Sequence, residues 1–238
     1  MSIKIENLTK KYKDTIALDN LSLEIKEHEL FALLGLNGAG KTTTIKMLAT
    51  LVKPTSGDAF IYGKSINSEE VKELIAISTQ ETSVARNLTV EENLLFMASI
   101  YGLDENTKNE VIKRIIADFN FEKVLKKKAK TLSGGWQRKL SIAMALIASP
   151  KVLFLDEPTL GLDVIARREL WDIILKLKKE MTIILTTHYM EEATYLSDRI
   201  GIISEGKLKA LGTAEELIEK AKVNNFEDAF IKIVREEM

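Results

Sequence analysis

Apolar and polar residues alternate along residues 3–8 and 17–25, the period-two pattern of half-buried strands, with a polar turn at 10–15 between them. This predicts an antiparallel opening. Residues 31–35 form a short apolar run, and residues 41–51 read as a helix with Ile45, Leu48 and Ala49 on one face, ended by the segment from Pro54 to Gly57. Strands are expected at 58–62 and 75–78. Between residues 89 and 131 the period becomes helical, with Val111, Ile115 and Ala117 near one stripe. Several helices in succession between strands predict an inserted α-helical subdomain, about residues 84–135.

Further along, a helix at 137–148, a strand at 151–155, a helix at 165–180 and a strand at 182–187 alternate, which predicts a parallel sheet with helices packed on it. Residues 200–204 and 207–211 flank Glu205 and Gly206 as a hairpin. Residues 214–238 read as a charged helical extension, interrupted near Asn224 and Asn225. No internal repeat is visible. The expected class is α/β, a mixed sheet core with an N-terminal antiparallel β part and the helical insert, in one domain spanning 1–238.

Composition narrows the functions. With 34 Lys plus Arg against 35 Asp plus Glu, the net charge of -1 provides no overall attraction to nucleic acid or to an anionic membrane. Cysteine is absent and there are two His, which removes thiolate nucleophiles, disulfides and His-rich metal sites. The N-terminus carries Lys4 and Glu6 and lacks a secretory apolar core, so the chain is expected to stay in the cytoplasm. Its strongest apolar stretches are strand-length, whereas a membrane helix needs about 20 apolar residues. A membrane pore, if one is involved, is expected on another chain.

The chemistry begins at Gly35, Leu36, Asn37, Gly38, Ala39, Gly40, Lys41 and Thr42, which match Gly, four residues, Gly, Lys, Ser/Thr between a strand and a helix. Backbone amides of such a loop curl round phosphates, the helix N-terminus adds partial positive charge, and Lys41 reaches the terminal phosphates. Thr42 offers a hydroxyl to magnesium, and Thr43 continues the phosphate site. Downstream, the apolar strand from Val152 to Leu155 ends in Asp156 and Glu157, and carboxylates at such an edge point into the ligand crevice. Asp156 is expected on the magnesium side, and Glu157 is placed to orient or deprotonate an attacking water.

Between loop and acids lie Leu132, Ser133, Gly134, Gly135 and Trp136. Together these elements make the chain resemble the ATP-binding subunit of the ABC (ATP-binding cassette) transporter family, a P-loop NTPase of ABC ATPase type. The resemblance covers nearly the whole chain. It implies ATP and Mg2+ as ligands, and two cassettes packed head to tail so that the signature of one covers ATP on the loop of the other. Ser133 would then cap the helix, and Gly134 and Gly135 would offer amides to the partner's terminal phosphate.

Four more positions match the family by place. Tyr12 resembles the aromatic that stacks on adenine, and Gln80 the residue that senses magnesium and couples to the insert. Asp163 resembles the loop that touches the opposite cassette, and can also cap the helix near Ile165. His188 resembles the switch His at the terminal phosphate. Trp136 departs from the usual Gln; packing on nucleotide or dimer seam and anchoring the helix start in the core both stay open. Lys126, Lys127, Lys128 and Lys130 read as a solvated face rather than a nucleic-acid patch.

The spelling of residues 161–172 and 186–199 is most similar to ABC-2 exporters. The resemblance implies an ATPase motor working with a second cassette, expected as a homodimer, and with a separate multi-helix transmembrane permease that holds it at the inner face of the membrane. No nucleic-acid partner is expected. The competing class is a soluble ABC ATPase acting on nucleic acid or ribosomes, which usually carries twin cassettes, a coiled-coil insert or basic arms.

Overall fold

The structure is a computed structural model and describes residues 1–235. The end of the expected C-terminal extension, residues 236–238, lies outside the described residues. Strands β1 (Ile3–Tyr12) and β2 (Thr15–Ile25) form an antiparallel hairpin, continued by β4 (Ser56–Ile61) against β1 and by the short β5 (Lys64–Ser65). The hairpin strands run further than the expected turn at 10–15 allowed. Only Lys13 and Asp14 remain between them, with Lys13 at φ 49°.

A second sheet of six strands runs in the order β10 (Lys207–Gly212), β9 (Arg199–Ser204), β3 (Leu30–Leu34), β8 (Thr182–Thr187), β7 (Val152–Asp156) and β6 (Ile75–Ser78). Its inner pairs are parallel and β9–β10 is antiparallel. Strands β3, β7 and β8 are buried at essentially every position, which explains their unbroken apolar runs. The parallel register brings the C-terminal ends of β3, β7 and β8 together, Leu34 beside Thr187 and Asp156 beside Thr186. The Gly-rich loop, Asp156, Glu157 and His188 hang from that edge.

Two apolar cores sandwich the six-stranded sheet. One lies between the sheets and encloses α1 (Lys41–Leu48) through Ile45, Met47 and Leu48. The other joins the opposite face to α2 (Val90–Ile100), α3 (Glu105–Phe119), α4 (Gly134–Ala145), α5 (Val164–Leu177) and α6 (Met190–Leu196). Helix α2 opens with a full capping box, Thr89 with Glu92, and α3 with Asp104 as N-cap. Helices α7 (Ala214–Ala221) and α8 (Phe226–Val234) pack beside β9 and β10, with their break at the Asn225 N-cap of α8. Among the described residues no helix is long and apolar enough to cross a membrane.

Candidate nucleotide site

The Gly-rich loop leaves β3 at Gly35 and enters α1 at Lys41. Gly40, the residue before the helix, has φ +107°, and a Cβ there would stand 2.5 Å from the Ala17 carbonyl oxygen. Only glycine fits such a turn against the hairpin. A cleft of about 460 Å³ opens over the loop, lined by residues 37–43, with Ala17, Gln80, Glu157, Leu160 and His188 around it.

Lys41 is 5% exposed, and its ammonium donates to the carbonyls of Gly35 at 2.9 Å and Leu36 at 3.1 Å. Glu157 Oε1 lies 3.3 Å from the same nitrogen. The other carboxylate oxygen, Oε2, stands 2.5 Å from His188 Nδ1. Lysine, acid and histidine therefore form one line across the cleft. Glu157 adopts φ 49°, rare for a non-glycine residue, and its amide donates to the Thr186 carbonyl and hydroxyl, each at 3.1 Å. Backbone strain held by a neighbouring strand is typical of residues kept in place for function.

Asp156 sits beneath the loop, 2% exposed. Its Oδ1 accepts from the Thr42 hydroxyl at 3.0 Å and from the Thr186 hydroxyl at 2.6 Å. It reaches the cleft through Thr42 and does not line it. A hydroxyl beside a single carboxylate suits magnesium, a hard cation that completes its shell with water and phosphate oxygens. Among the described residues no group of three or more His, Asp or Glu is gathered for a metal.

Sequence reasoning missed Arg138. This buried guanidinium on α4 donates to the carbonyls of Pro158 and Asp156, each at 2.8 Å, to that of Gln80 at 3.2 Å, and to that of Thr79. It thereby fastens the segment carrying Gln80 to the segment carrying Asp156 and Glu157. Burial lowers its pKa to about 10, against the opposing pull of Asp156 and Glu192. Nothing in the local sequence marks it, since its four acceptors are carbonyls 18 to 59 residues away.

Tyr12, Asp163, Ser133, Gly134 and Gly135 also lie away from the cleft lining. Tyr12 is exposed at the tip of β1, while Ala17 forms the cleft edge on that side. Asp163 is the N-cap of α5, accepting from the amides of Ile165 at 3.0 Å and Ala166 at 2.9 Å. Ser133 occupies the N-cap position of α4, but its side chain makes no capping bond and is exposed, so the expected hydroxyl cap is absent. The two signature glycines also differ. A Cβ on Gly134 would meet nothing within 4 Å, whereas one on Gly135 would stand 2.8 Å from Ala166 Cβ. Gly135 is buried in the first turn of α4 and permits close approach to α5.

Trp136 turns away from the cleft. Its ring lies 6.0 Å from that of Phe121, and Lys139 Nζ sits 4.6 Å from its centroid while pairing with Glu169 at 2.6 Å. The structure therefore favours anchoring in the core over contact with nucleotide in the same chain.

A Gly-rich loop at a strand-to-helix junction, with an acid pair at the end of a neighbouring parallel strand, defines a P-loop nucleotide hydrolase. The family described as ABC transporter matches residues 18–160, and the chain belongs to it as an ATP-binding, ATP-hydrolysing cassette. It is 42% identical over 224 residues to "Phospholipid-transporting ATPase ABCA3" of Homo sapiens, which covers 92% of this chain and 13% of that protein. It is 39% identical over 244 residues to "Probable multidrug ABC transporter ATP-binding protein YbhF" of Escherichia coli (strain K12), covering 98% of this chain and 42% of that protein. The chain thus spans less than half the length of these curated relatives. Among solved structures, the dimeric post-hydrolysis ATP-binding cassette MJ0796 bound to ADP and Pi superposes with a TM-score of 0.78 at 26% identity, covering 89% of this chain and 98% of that one.

Proposed function

We propose that two copies of this cassette close head to tail on ATP, and that closure drives a separate transmembrane subunit, with export as the direction. The observation that carries this reading is the separation of two groups. Loop, Gln80, Glu157 and His188 share one cleft, while Ser133, Gly134, Gly135 and Asp163 lie off it. Exposed Ser133 and Gly134 at a helix N-terminus form an anion-binding surface with no use for their own cleft, and they make sense against the cleft of a second cassette.

In this reading the loop amides and Lys41 hold the β and γ phosphates, and Thr42 with Asp156 holds Mg2+, which neutralises phosphate charge when bound. Glu157 orients the attacking water and takes its proton. His188, tied to the same carboxylate, fixes Glu157 and faces the γ-phosphate, and Gln80 links the cleft to the helical part at about residues 84–135. Tyr12 supplies the adenine face from the hairpin tip. Coupling to transport is supported by the relatives, one named as phospholipid-transporting and one as a probable multidrug transporter component, while export rests on the spelling of residues 161–172 and 186–199.

The membrane partner is proposed to insert a short helix into a second cleft of about 450 Å³, lined by Leu51, Ile75, Ile77, Met97, Tyr101 and Met144. On the same helix α2 as Met97, with Tyr101 as its C-cap, Phe96 and Ile100 are exposed at 51% and 59%. An apolar patch of this kind marks an interaction site.

The test is Glu157→Gln, which keeps ATP binding and blocks hydrolysis. Light scattering should show a dimer that forms with ATP and falls apart when ATP is removed. A variant that stays monomeric at saturating ATP, alone and with its membrane partner, would refute the sandwich.

A further inference from the structure

Glu192, in the first turn of α6, is completely buried, and the proposed chemistry leaves it unused. Its Oε1 accepts from Trp171 Nε1 at 3.1 Å. Its Oε2 and the Thr159 hydroxyl are both buried without a hydrogen-bond partner among the described residues. Burial pushes this carboxyl above the usual range, with the Glu157 charge acting in the same direction, while the nearby hydroxyls of Thr187 and Thr159 and the Trp171 N–H pull the other way. A fully buried acid whose second oxygen lacks a well-formed hydrogen bond is costly, which makes its surroundings informative.

The reason lies in what surrounds it. Thr187 immediately precedes His188, and Thr159 follows Glu157 by two residues in the loop leading to Asp163. Trp171 is two turns along α5 from the Asp163 N-cap. Glu192 is thus neighbour to all three segments that carry Glu157, His188 and Asp163. Outside it, α5 and α6 are braced again, by Arg168 to Glu191 at 2.8 Å and by stacking of Trp171 on Tyr195 at 4.9 Å.

We propose that Glu192 is a positioning residue that transmits displacement of α5 at the cassette seam to the Glu157–His188 pair. The inference rests on the reading of those residues given above. A push on Asp163 moves α5, Trp171 carries Glu192 with it, and α6 begins only two residues after His188. Thr159, whose hydroxyl acts on the same carboxyl, lies between Glu157 and Asp163 in the chain, so a shift of α5 reaches both segments through one buried group.

Two substitutions test this. Glu192→Gln keeps hydrogen-bonding capacity at equal size, and Glu192→Leu keeps bulk alone. The Gln variant should retain kcat within about threefold, while the Leu variant should lose at least about tenfold in kcat with KM for ATP within about twofold and a cooperative melt. Should Glu192→Leu fail to fold, Trp171→Phe removes the donor and should show the same kcat-only loss.

The proposal is overturned if the apolar variants keep wild-type kcat per folded molecule, if KM rises as kcat falls, or if Gln is as damaging as Leu. ATP-driven dimerisation of Glu157→Gln is measured alongside. Failure there condemns the sandwich, whereas normal dimerisation with an active Glu192→Leu condemns only the role given to Glu192.

Discussion

The paired signature glycines allow fold and function to be separated by one methyl group. Both sit in the first turn of α4, so Ala at either position gains helix propensity of up to about 1 kcal/mol over Gly. At Gly134 the added Cβ meets nothing within 4 Å, and the gain stands unopposed. At Gly135 it arrives 2.8 Å from Ala166 Cβ, an atom fixed to the α5 backbone that cannot swing aside. Overpacking of this kind costs about 1–3 kcal/mol, leaving a net loss of up to about 2 kcal/mol once the full propensity gain is set against it. For a chain of this size, where 1 kcal/mol moves Tm by about 2–4 °C, Gly135→Ala should melt up to about 8 °C below wild type and at least about 2 °C below Gly134→Ala.

Gly134→Ala should melt at or slightly above wild type, yet lose ATPase activity by at least about tenfold, because in the proposed closed dimer its methyl would cover the amides that face the partner's phosphate. Thermal melts followed by circular dichroism without nucleotide measure the first effect, and steady-state phosphate release the second. Equal melting of the two variants would refute the packing argument. A fully active Gly134→Ala would refute the assignment of that surface to nucleotide.

Other outcomes follow from the same geometry. Trp136→Ala removes a half-buried ring from Phe121 and should destabilise by about 1–3 kcal/mol in chemical denaturation, with ATP affinity of the isolated chain unchanged in a fluorescent-nucleotide titration. Leu51→Asp with Tyr101→Asp should abolish co-purification with a multi-helix membrane protein while leaving basal ATPase of the soluble cassette near wild type. The Glu192 carboxyl titrates higher folded than unfolded, so its stability contribution is complete below the unfolded value and is lost as pH rises through the folded one. Glu192→Gln, which cannot ionise, should therefore gain in Tm relative to wild type as pH is raised from 4 to 8. A gap that widens toward acid would contradict the sign.

What could be read from the sequence was local. The loop, Asp156 and Glu157 announce themselves because phosphate chemistry demands fixed residue types at fixed spacing, and the unbroken apolar runs of β3, β7 and β8 identify a sheet covered on both faces. Pairing was not local. Nothing near residues 56–61 says that β4 joins β1 while β6, the next strand but one, joins β7 in the other sheet. Helix α4 starts three residues before the expected 137, since Gly134 and Gly135 look like helix breakers until the approach of Ala166 is known. Helix α6 went unread because it is seven residues long and its N-cap, Tyr189, makes no side-chain cap. Arg138 was hidden for another reason: a charge on a helix reads as solvent-facing unless its carbonyl partners, which lie 18 to 59 residues away, are in view.

The central claim is that each ATP is enclosed by the loop of one copy and the signature of another, and mixing two inactive variants tests it most directly. Lys41→Ala disables the loop and leaves the signature intact; Ser133→Arg does the reverse. In a mixed dimer one site joins two disabled halves and the other joins two intact ones. The account predicts that each variant alone is inactive and that mixing them restores ATP hydrolysis, rising with the fraction of mixed dimers. Two variants that form mixed dimers yet stay inactive together would contradict it.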